Sequence, residues 1–278
     1  MGAIASPFSV PVTNVRQDPP SDVAFRVLGP VEVLRQGVLV PVRGGRARAL
    51  LALLLVNANT IVSGAQIVDA VWGERPPSTV RTQVHVSVSS LRKLLAGVGG
   101  ASIQTHPAGY RLAADPQRID LSVFLDMSRS GRAALRQQRV AEAARTLHRA
   151  LELWRGTALG GVRASFVPST VVRLEEHRLT AFADRVAADL GLGRHHDVIP
   201  ELRSLLDERP LLERARAQLM VALHLAGRRG DALAVYREGC ALLRTELGVD
   251  PGPELARAHG HLLRAHVPLP QRIAGILS

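Results

Sequence analysis

The chain has one cysteine, Cys240, and one lysine, Lys93, among 278 residues. A lone cysteine excludes an internal disulfide and a cysteine-based zinc site, and such sparing use of cysteine points to the cytoplasm. Long apolar runs are missing too: the longest, Ala49 to Val56, has the length of a core helix and is far short of a bilayer span. With 46% hydrophobic residues and a mean hydropathy of +0.10, a soluble protein with room for two domains, each with its own core, is expected. Residues 1–21 lack the basic start and continuous apolar centre of a signal peptide, so a flexible tail is expected there. Gly99-Gly100 and Gly160-Gly161 carry no phosphate-loop lysine and read as loop punctuation. Asp69, Asp120, Glu175 and Glu176 pair with no serine and histidine in a catalytic order, and His195-His196-Asp197 lacks a third ligand at metal spacing. Nothing in the sequence argues for an enzyme, a cofactor or a metal site.

What the chain has in excess is positive charge. Lysine and arginine total 35 against 24 acidic residues, a net charge of +11, which suits a nucleic-acid partner. Residues 1–118 carry twelve basic and six acidic side chains, and the remainder carries twenty-three and eighteen, so the bias per residue is steeper in the first part. Arginine can offer a bidentate fork to guanine or phosphate. Coding bias in a GC-rich genome is the simpler source of the arginine-rich composition as a whole.

The stretch from Pro76 to Leu95 concentrates that excess on a helix. At about 100° per residue, Val80, Val84, Val88, Leu91 and Leu95 fall on one side. Thr82, His85, Val86, Ser89 and Lys93 fall broadly opposite, with Arg81 and Arg92 flanking the stripe. The outer set has donors, acceptors and cations but no carboxylate, so it can approach a polyanion without repulsion. Pro76-Pro77 blocks an earlier start, and Ser78 or Thr79 can cap the first turn. On the wheel alone, an ordinary amphipathic helix with a solvated face reads equally well.

The neighbouring segments favour the first reading. Arg46 to Val56 is a strongly apolar helix terminated by Asn57 to Thr60, and Ser63 caps a shorter helix, Gly64 to Trp72. Phe25 to Leu34 and Val38 to Val42 are strand-like around Gln36-Gly37, while Ser102 to His106 and Tyr110 to Ala113 alternate around Pro107-Ala-Gly109. Strands, three helices and a hairpin make a winged helix-turn-helix, in which the third helix enters the major groove.

Four motifs in this part resemble a known family: Phe25-Arg-Val-Leu-Gly-Pro, Ala70-Val-Trp-Gly-Glu-Arg-Pro-Pro, the Thr82 to Lys93 helix, and Thr105-His-Pro-Ala-Gly-Tyr-Arg-Leu112. They are similar to the N-terminal domain of the Streptomyces antibiotic regulatory proteins, whose DNA-binding fold is of the response-regulator type. Leu153-Trp-Arg-Gly-Thr-Ala-Leu159, Leu174-Glu-Glu-His-Arg-Leu179, Ala187 to Arg194, Glu213 to Met220, Ala226 to Leu233 and Glu246 to Glu254 resemble the bacterial transcriptional activation domain that follows it there. The resemblance spans roughly Val23 to His266.

The second half also carries a repeat of its own. Gly193-Arg194-x-x-Asp197-Val198 recurs as Gly227-Arg228-x-x-Asp231-Ala232, at an offset of 34 residues, the tetratricopeptide period. Pro210 breaks the helix where such a repeat ends, while Ala143, Leu147 and Ala150 have the same internal spacing out of period. An all-helical domain of about seven helices, with a groove for a protein partner, is expected. Helices that only brace the DNA-binding domain are the plainer alternative.

The fold class expected is thus mainly α: a winged helix-turn-helix with a leading sheet and a C-terminal hairpin, then an all-α tetratricopeptide-like domain. The boundaries expected are a tail 1–22, a DNA-binding domain 23–115, an activation domain 119–266 and a tail 267–278. Thr82, His85, Val86 and Ser89 are candidates for base or groove-floor contacts. Arg81, Arg92 and Lys93 are candidate phosphate clamps, one of which alternatively holds an intramolecular partner. A larger polar or basic residue is common in the family at the position of Ser90. His106 and Arg111 on the hairpin, and Arg46 and Arg48 at the start of the first helix, are further candidates, while Tyr110 reads as core. The resemblance implies an activator of an antibiotic or other secondary-metabolite gene cluster. Its implied partners are direct repeats in double-stranded DNA, a second copy of itself there, and RNA polymerase holoenzyme through its sigma and alpha subunits. It implies no membrane partner and a cytoplasmic, nucleoid-associated location. A reading of a different class is a helical-repeat scaffold or sensor whose winged helix serves mainly protein contacts.

Overall fold

The computed structural model describes residues Ala24–Arg264. The expected tails, 1–22 and 267–278, and the outermost domain residues Val23, Ala265 and His266 lie outside the described residues. By packing, the described chain forms two compact units, 24–127 with 150–178, and 128–149 with 179–264.

The first unit begins with an antiparallel sheet in the order β1-β2-β3, from strands β1 (Phe25–Arg26), β2 (Glu32–Arg35) and β3 (Val38–Val40). Gln36 and Gly37 both have positive φ, 51° and 79°, which is the two-residue hairpin turn whose twist suits the strands. The run Phe25 to Leu34 is two strands and not one. Between them the N–H groups of Val27 and Leu28 donate to the buried Asp120 carboxylate at 2.8–3.0 Å, and Pro30 has no N–H to offer a ladder. The carbonyls of Val27, Leu28 and Gly29 accept instead from Leu159, Arg155 and Gly160. β3 stops at Val40 because Pro41 follows, two residues before the expected end.

Three helices follow. Helix α1 (Gly45–Val56) is apolar on all sides and buried from Ala49 to Leu55, as a helix enclosed by its neighbours must be. A short strand absent from the sequence reading, β4 (Ile61–Ser63), leads into α2 (Gly64–Trp72). Ser63 and Gln66 form a reciprocal capping box at the start of α2, an arrangement worth about 1 kcal/mol. Helix α3 (Val80–Val98) buries Val84, Val88, Leu91 and Leu95, with Val80 half-buried. The Thr79 side chain does not cap it; its Oγ1 accepts from Gln83 Nε2 at 3.0 Å, which withdraws it from the backbone N–H groups.

Strands β5 (Ala101–His106) and β6 (Gly109–Ala114) form the expected hairpin, and β4 joins them in the order β4-β6-β5. Gly109 is demanded by this sheet: a Cβ there would lie 2.1 Å from the Val62 carbonyl oxygen. Asn59, at φ 65°, exchanges side-chain hydrogen bonds with both the N–H and the carbonyl of Ala114. It thereby ties the end of the α1 loop to β6.

The rest of the described chain is helical: α4 (Asp120–Arg136), α5 (Val140–Glu152), α6 (Val167–Gly191), α7 (His195–Glu208), α8 (Glu213–Leu225), α9 (Arg229–Leu247) and α10 (Pro253–Leu263). The repeated glycine-arginine motif is a helix-ending turn. Gly193 and Gly227 both have φ 76°, and the next N–H reaches back to a carbonyl five residues earlier, Arg194 to Asp189 and Arg228 to Leu223. This is the Schellman arrangement. The out-of-period segment uses the same turn with Gln138 at φ 60° and Arg139 N–H bonded to Ala134. A glutamine stands there where the repeat has glycine.

Inside the second unit, α8 packs on α7, α9 and α10, and Ala134, Ala143, Ala144 and Ala188 form a tight small-residue core. Two buried carboxylates organise its polar contacts. Asp184 accepts from Arg132 and Arg214, each at 2.7 Å. Asp189 meets His148 at 2.9 Å and Arg185 and Arg194 at 3.2 Å, and Arg185 also pairs with Glu201. Among the described residues no helix is long and apolar enough to cross a membrane.

Candidate nucleic-acid interface

Burying Val84, Val88, Leu91 and Leu95 turns the opposite side of α3 outward. Arg81, Thr82, His85, Val86, Ser89, Arg92 and Lys93 are all exposed, and Val86 retains 64% of its accessible surface. Exposure of a valine at that level, among hydroxyls, an imidazole and cations with no carboxylate on the helix, leaves a surface matched to thymine methyls, base edges and phosphates.

Two side chains of this face are anchored to the hairpin. His85 Nδ1 lies 3.0 Å from the Tyr110 hydroxyl on β6, with the rings edge to face. Arg92 donates from Nε to the Ile103 carbonyl at 2.9 Å and from Nη2 to Thr105 Oγ1 at 2.7 Å, both on β5. Among the described residues, Arg92 is therefore the candidate clamp seen to hold an intramolecular partner.

At the start of α3, Gln83 gathers contacts from two other helices. Its Oε1 accepts from Trp72 Nε1 at 3.0 Å and from Arg46 Nη1, and the Arg46 guanidinium lies over the Trp72 ring, 5.7 Å from its centroid. Arg46 is thus brought beside α3. Arg48 turns the other way and donates to the Val42 carbonyl at 3.2 Å. His106 and Arg111 are exposed on the hairpin. His106 Nδ1 accepts from the Ala108 N–H within the tip, and Arg111 sits in register with Gln104 and Ile61. Ser90 is exposed, without a long side chain to extend the basic face.

Gln83, Thr105 and the hydroxyl of Tyr110 were not legible as parts of this surface. Tyr110 is indeed a core residue, 7% exposed, and its polar end alone reaches the helix. Its partner stands 25 residues away, so periodicity carries no trace of the bond.

The polar surface of the second unit is of another kind. A groove between α7, α8 and α9 is lined by Arg203, Asp207, Arg216, Arg228, Asp231 and Glu238, mixing both signs of charge. Arg216 is buried, which lowers its pKa, and it donates to the carbonyls of Val235 and Pro210. Gly239 leaves room for it: a Cβ there would come within 2.3 Å of the Arg216 side chain.

Comparison with known proteins matches both halves. Residues 43–112 match the family described as transcriptional regulatory protein, C terminal, and residues 119–263 match the bacterial transcriptional activator domain. The chain is 33% identical over 250 residues to the regulatory protein DnrI of Streptomyces peucetius, covering 92% of that protein. It is 36% identical over 241 residues to the regulatory protein AfsR of Streptomyces griseus, but spans only 24% of it. It is also 36% identical to the transcriptional regulatory protein EmbR of Mycobacterium tuberculosis, spanning 63% of that chain's length. A solved structure of Mycobacterium tuberculosis EmbR in complex with a low affinity phosphopeptide superposes with a TM-score of 0.86 at 34% identity, over 92% of this chain and 68% of that one. With a winged helix-turn-helix followed by the helical domain, and relatives aligned across both, the chain belongs to the Streptomyces antibiotic regulatory protein family of DNA-binding transcriptional regulators.

Proposed function

We propose that this chain activates a secondary-metabolite biosynthesis cluster by binding direct repeats near its promoters and engaging RNA polymerase. Two copies bind side by side on one face of the duplex, each inserting α3 into the major groove, with the hairpin directed to the adjacent backbone. Thr82, His85, Val86 and Ser89 contact base edges and the groove floor. Arg81 and Lys93 clamp phosphates, with Arg46, His106 and Arg111 at the margins. Arg92 braces the helix against β5 and contributes its remaining charge. Residues 23–115 are the DNA-binding part and 119–266 the activating part, whose groove between α7, α8 and α9 receives the sigma or alpha subunit of the polymerase. The protein works in the cytoplasm, at the nucleoid.

The observation that carries this reading is the exposed, carboxylate-free face of α3, braced on both strands of the hairpin. A mobility-shift titration across salt concentrations tests it. A steep fall of log affinity with log salt, together with preference for repeated half-sites, is expected. Absence of any sequence preference at physiological salt would overturn it in favour of a protein-binding scaffold. His85→Ala should cost about 1–3 kcal/mol on the specific site and far less on random DNA.

A further inference from the structure

We infer that Tyr110 is a positioning residue for His85: its phenol donates to Nδ1, which leaves Nε2–H as the group that α3 presents to a base. The inference rests on the reading of α3 as the groove-entering helix and deepens it by giving His85 a hydrogen-bonding sense.

The oxygen of Tyr110 is fixed in space. Its residue is buried in β6 and in register with Val62 of β4 on one side and Thr105 of β5 on the other. The hydroxyl stands 3.0 Å from His85 Nδ1, with 77° between the ring planes. Either partner could donate in principle. The phenol oxygen shares its lone pair with the ring and is a poor acceptor, whereas a neutral imidazole has a localised nitrogen lone pair and accepts well. Among the described residues the Tyr110 hydroxyl has His85 Nδ1 as its hydrogen-bond partner. Donation from the phenol satisfies both groups; donation from the histidine would leave the phenol proton without a protein acceptor.

The tautomer follows from that bond, since a neutral imidazole that accepts at one nitrogen carries its proton on the other. His85 is exposed, so the donor Nε2–H is the nitrogen left for DNA. A donor suits guanine N7 and O6, adenine N7 and thymine O4, and it rejects the amino groups of cytosine N4 and adenine N6. His85 then discriminates among base edges by donating only. Without the phenol, either tautomer is open to it and the same side chain can meet either kind of edge.

Tyr110→Phe keeps the ring in the core and removes the hydroxyl. The first measurement is nitrogen-15 spectroscopy of the histidine rings in the full chain without DNA, at about pH 8, well above the ordinary histidine range. His85 is assigned by the signal lost in His85→Gln. The expected result is the Nε2–H tautomer in the wild type and a mixture in Tyr110→Phe. The second is affinity for a panel of single-base variants of the bound site. Tyr110→Phe should flatten preference by about tenfold at the same base pair as His85→Gln, with a melting temperature close to the wild type. An Nδ1–H tautomer in the wild type, or a Tyr110→Phe protein with its preference intact, would overturn the inference. The spectra need no DNA, so a wrong tautomer sinks this inference alone, whereas loss of sequence preference in the wild type sinks the reading of α3.

Discussion

Each compact unit buries an aspartate, and the two are held by opposite means. Asp120, in the first, is 1% exposed and receives the N–H groups of Val27, Leu28 and Leu121, with Arg155 at 3.4 Å. Burial outweighs those donors and pushes its carboxyl up to about 6. Asp189, in the second, is 2% exposed. Burial raises it too, but the His148 hydrogen bond, the charges of His148 and Arg185 and the Arg194 hydrogen bond outweigh burial and hold the carboxyl below its usual value. Backbone dipoles align a segment of chain; full countercharges keep a buried acid ionised. The same contrast governs arginine. Among the described residues the cations on α3 stand without a carboxylate, whereas Arg132, Arg185, Arg194 and Arg214 of the helical unit are each bound to one. Similar net charges in the two parts of the chain are therefore disposed differently: on α3 they share a face without a carboxylate, while these four arginines are spent on contacts inside the helical unit.

The strongest way to break this contrast is Asp189→Ala, which leaves the buried Arg185 with Glu201 alone and removes the shared partner of His148 and Arg194. We expect a loss of about 3–5 kcal/mol in urea unfolding. The stabilisation should hold above the ordinary aspartate value and disappear as pH falls through the lower native one. A loss near zero would show that solvent already screens these charges.

Asp120 should behave in the reverse sense. The native state binds its proton more tightly than the unfolded chain does, so the contribution is complete below pH 3.8 and drains away as pH rises through about 6. Asp120→Asn does not titrate. Melts between pH 4 and pH 7 should therefore show the wild type losing about 2 kcal/mol relative to it. A wild type that gains on the variant as pH rises would mean that the N–H donors and Arg155 keep the carboxylate charged.

On the face of α3 proposed to meet DNA, Arg81→Ala should weaken binding evenly across sequences and shallow the salt slope by about 1, read by fluorescence anisotropy at several salt concentrations. A sequence-dependent loss would move Arg81 from the phosphates to a base. The smallest change is Gln138→Gly, which relieves a left-handed glutamine and should raise stability by up to about 1 kcal/mol in a thermal melt. A fall would show that the glutamine side chain contributes more than its backbone costs.

Where local physics decides the outcome, the sequence was legible. The Ser63 cap, the four-and-three spacing of α3 and the hairpin around Pro107-Ala-Gly109 all depend on residues close in the chain. The recurrence of Gly193-Arg194 at Gly227-Arg228 was legible as a 34-residue repeat, whereas its nature as a helix-ending turn came from the backbone geometry. Elements decided from a distance were not legible. Strand β4 exists because β6 pairs with it, and the break after Arg26 exists because Asp120, more than ninety residues on, takes the N–H groups that a strand would use. For the interface, composition and the wheel found the exposed face, while Gln83, Thr105 and the Tyr110 hydroxyl emerged only from elements that fold together.

Lys93, exposed on the outer side of α3, is the one lysine of the sequence. Amine-directed chemistry consequently has a single side chain to find, and that side chain belongs to the face assigned to the groove. An amine-directed reagent would label one side chain of this sequence besides the terminal α-amine, and bound DNA should shield that side chain, so the fraction of Lys93 labelled, read on its own peptide, becomes a meter of occupancy of the proposed site.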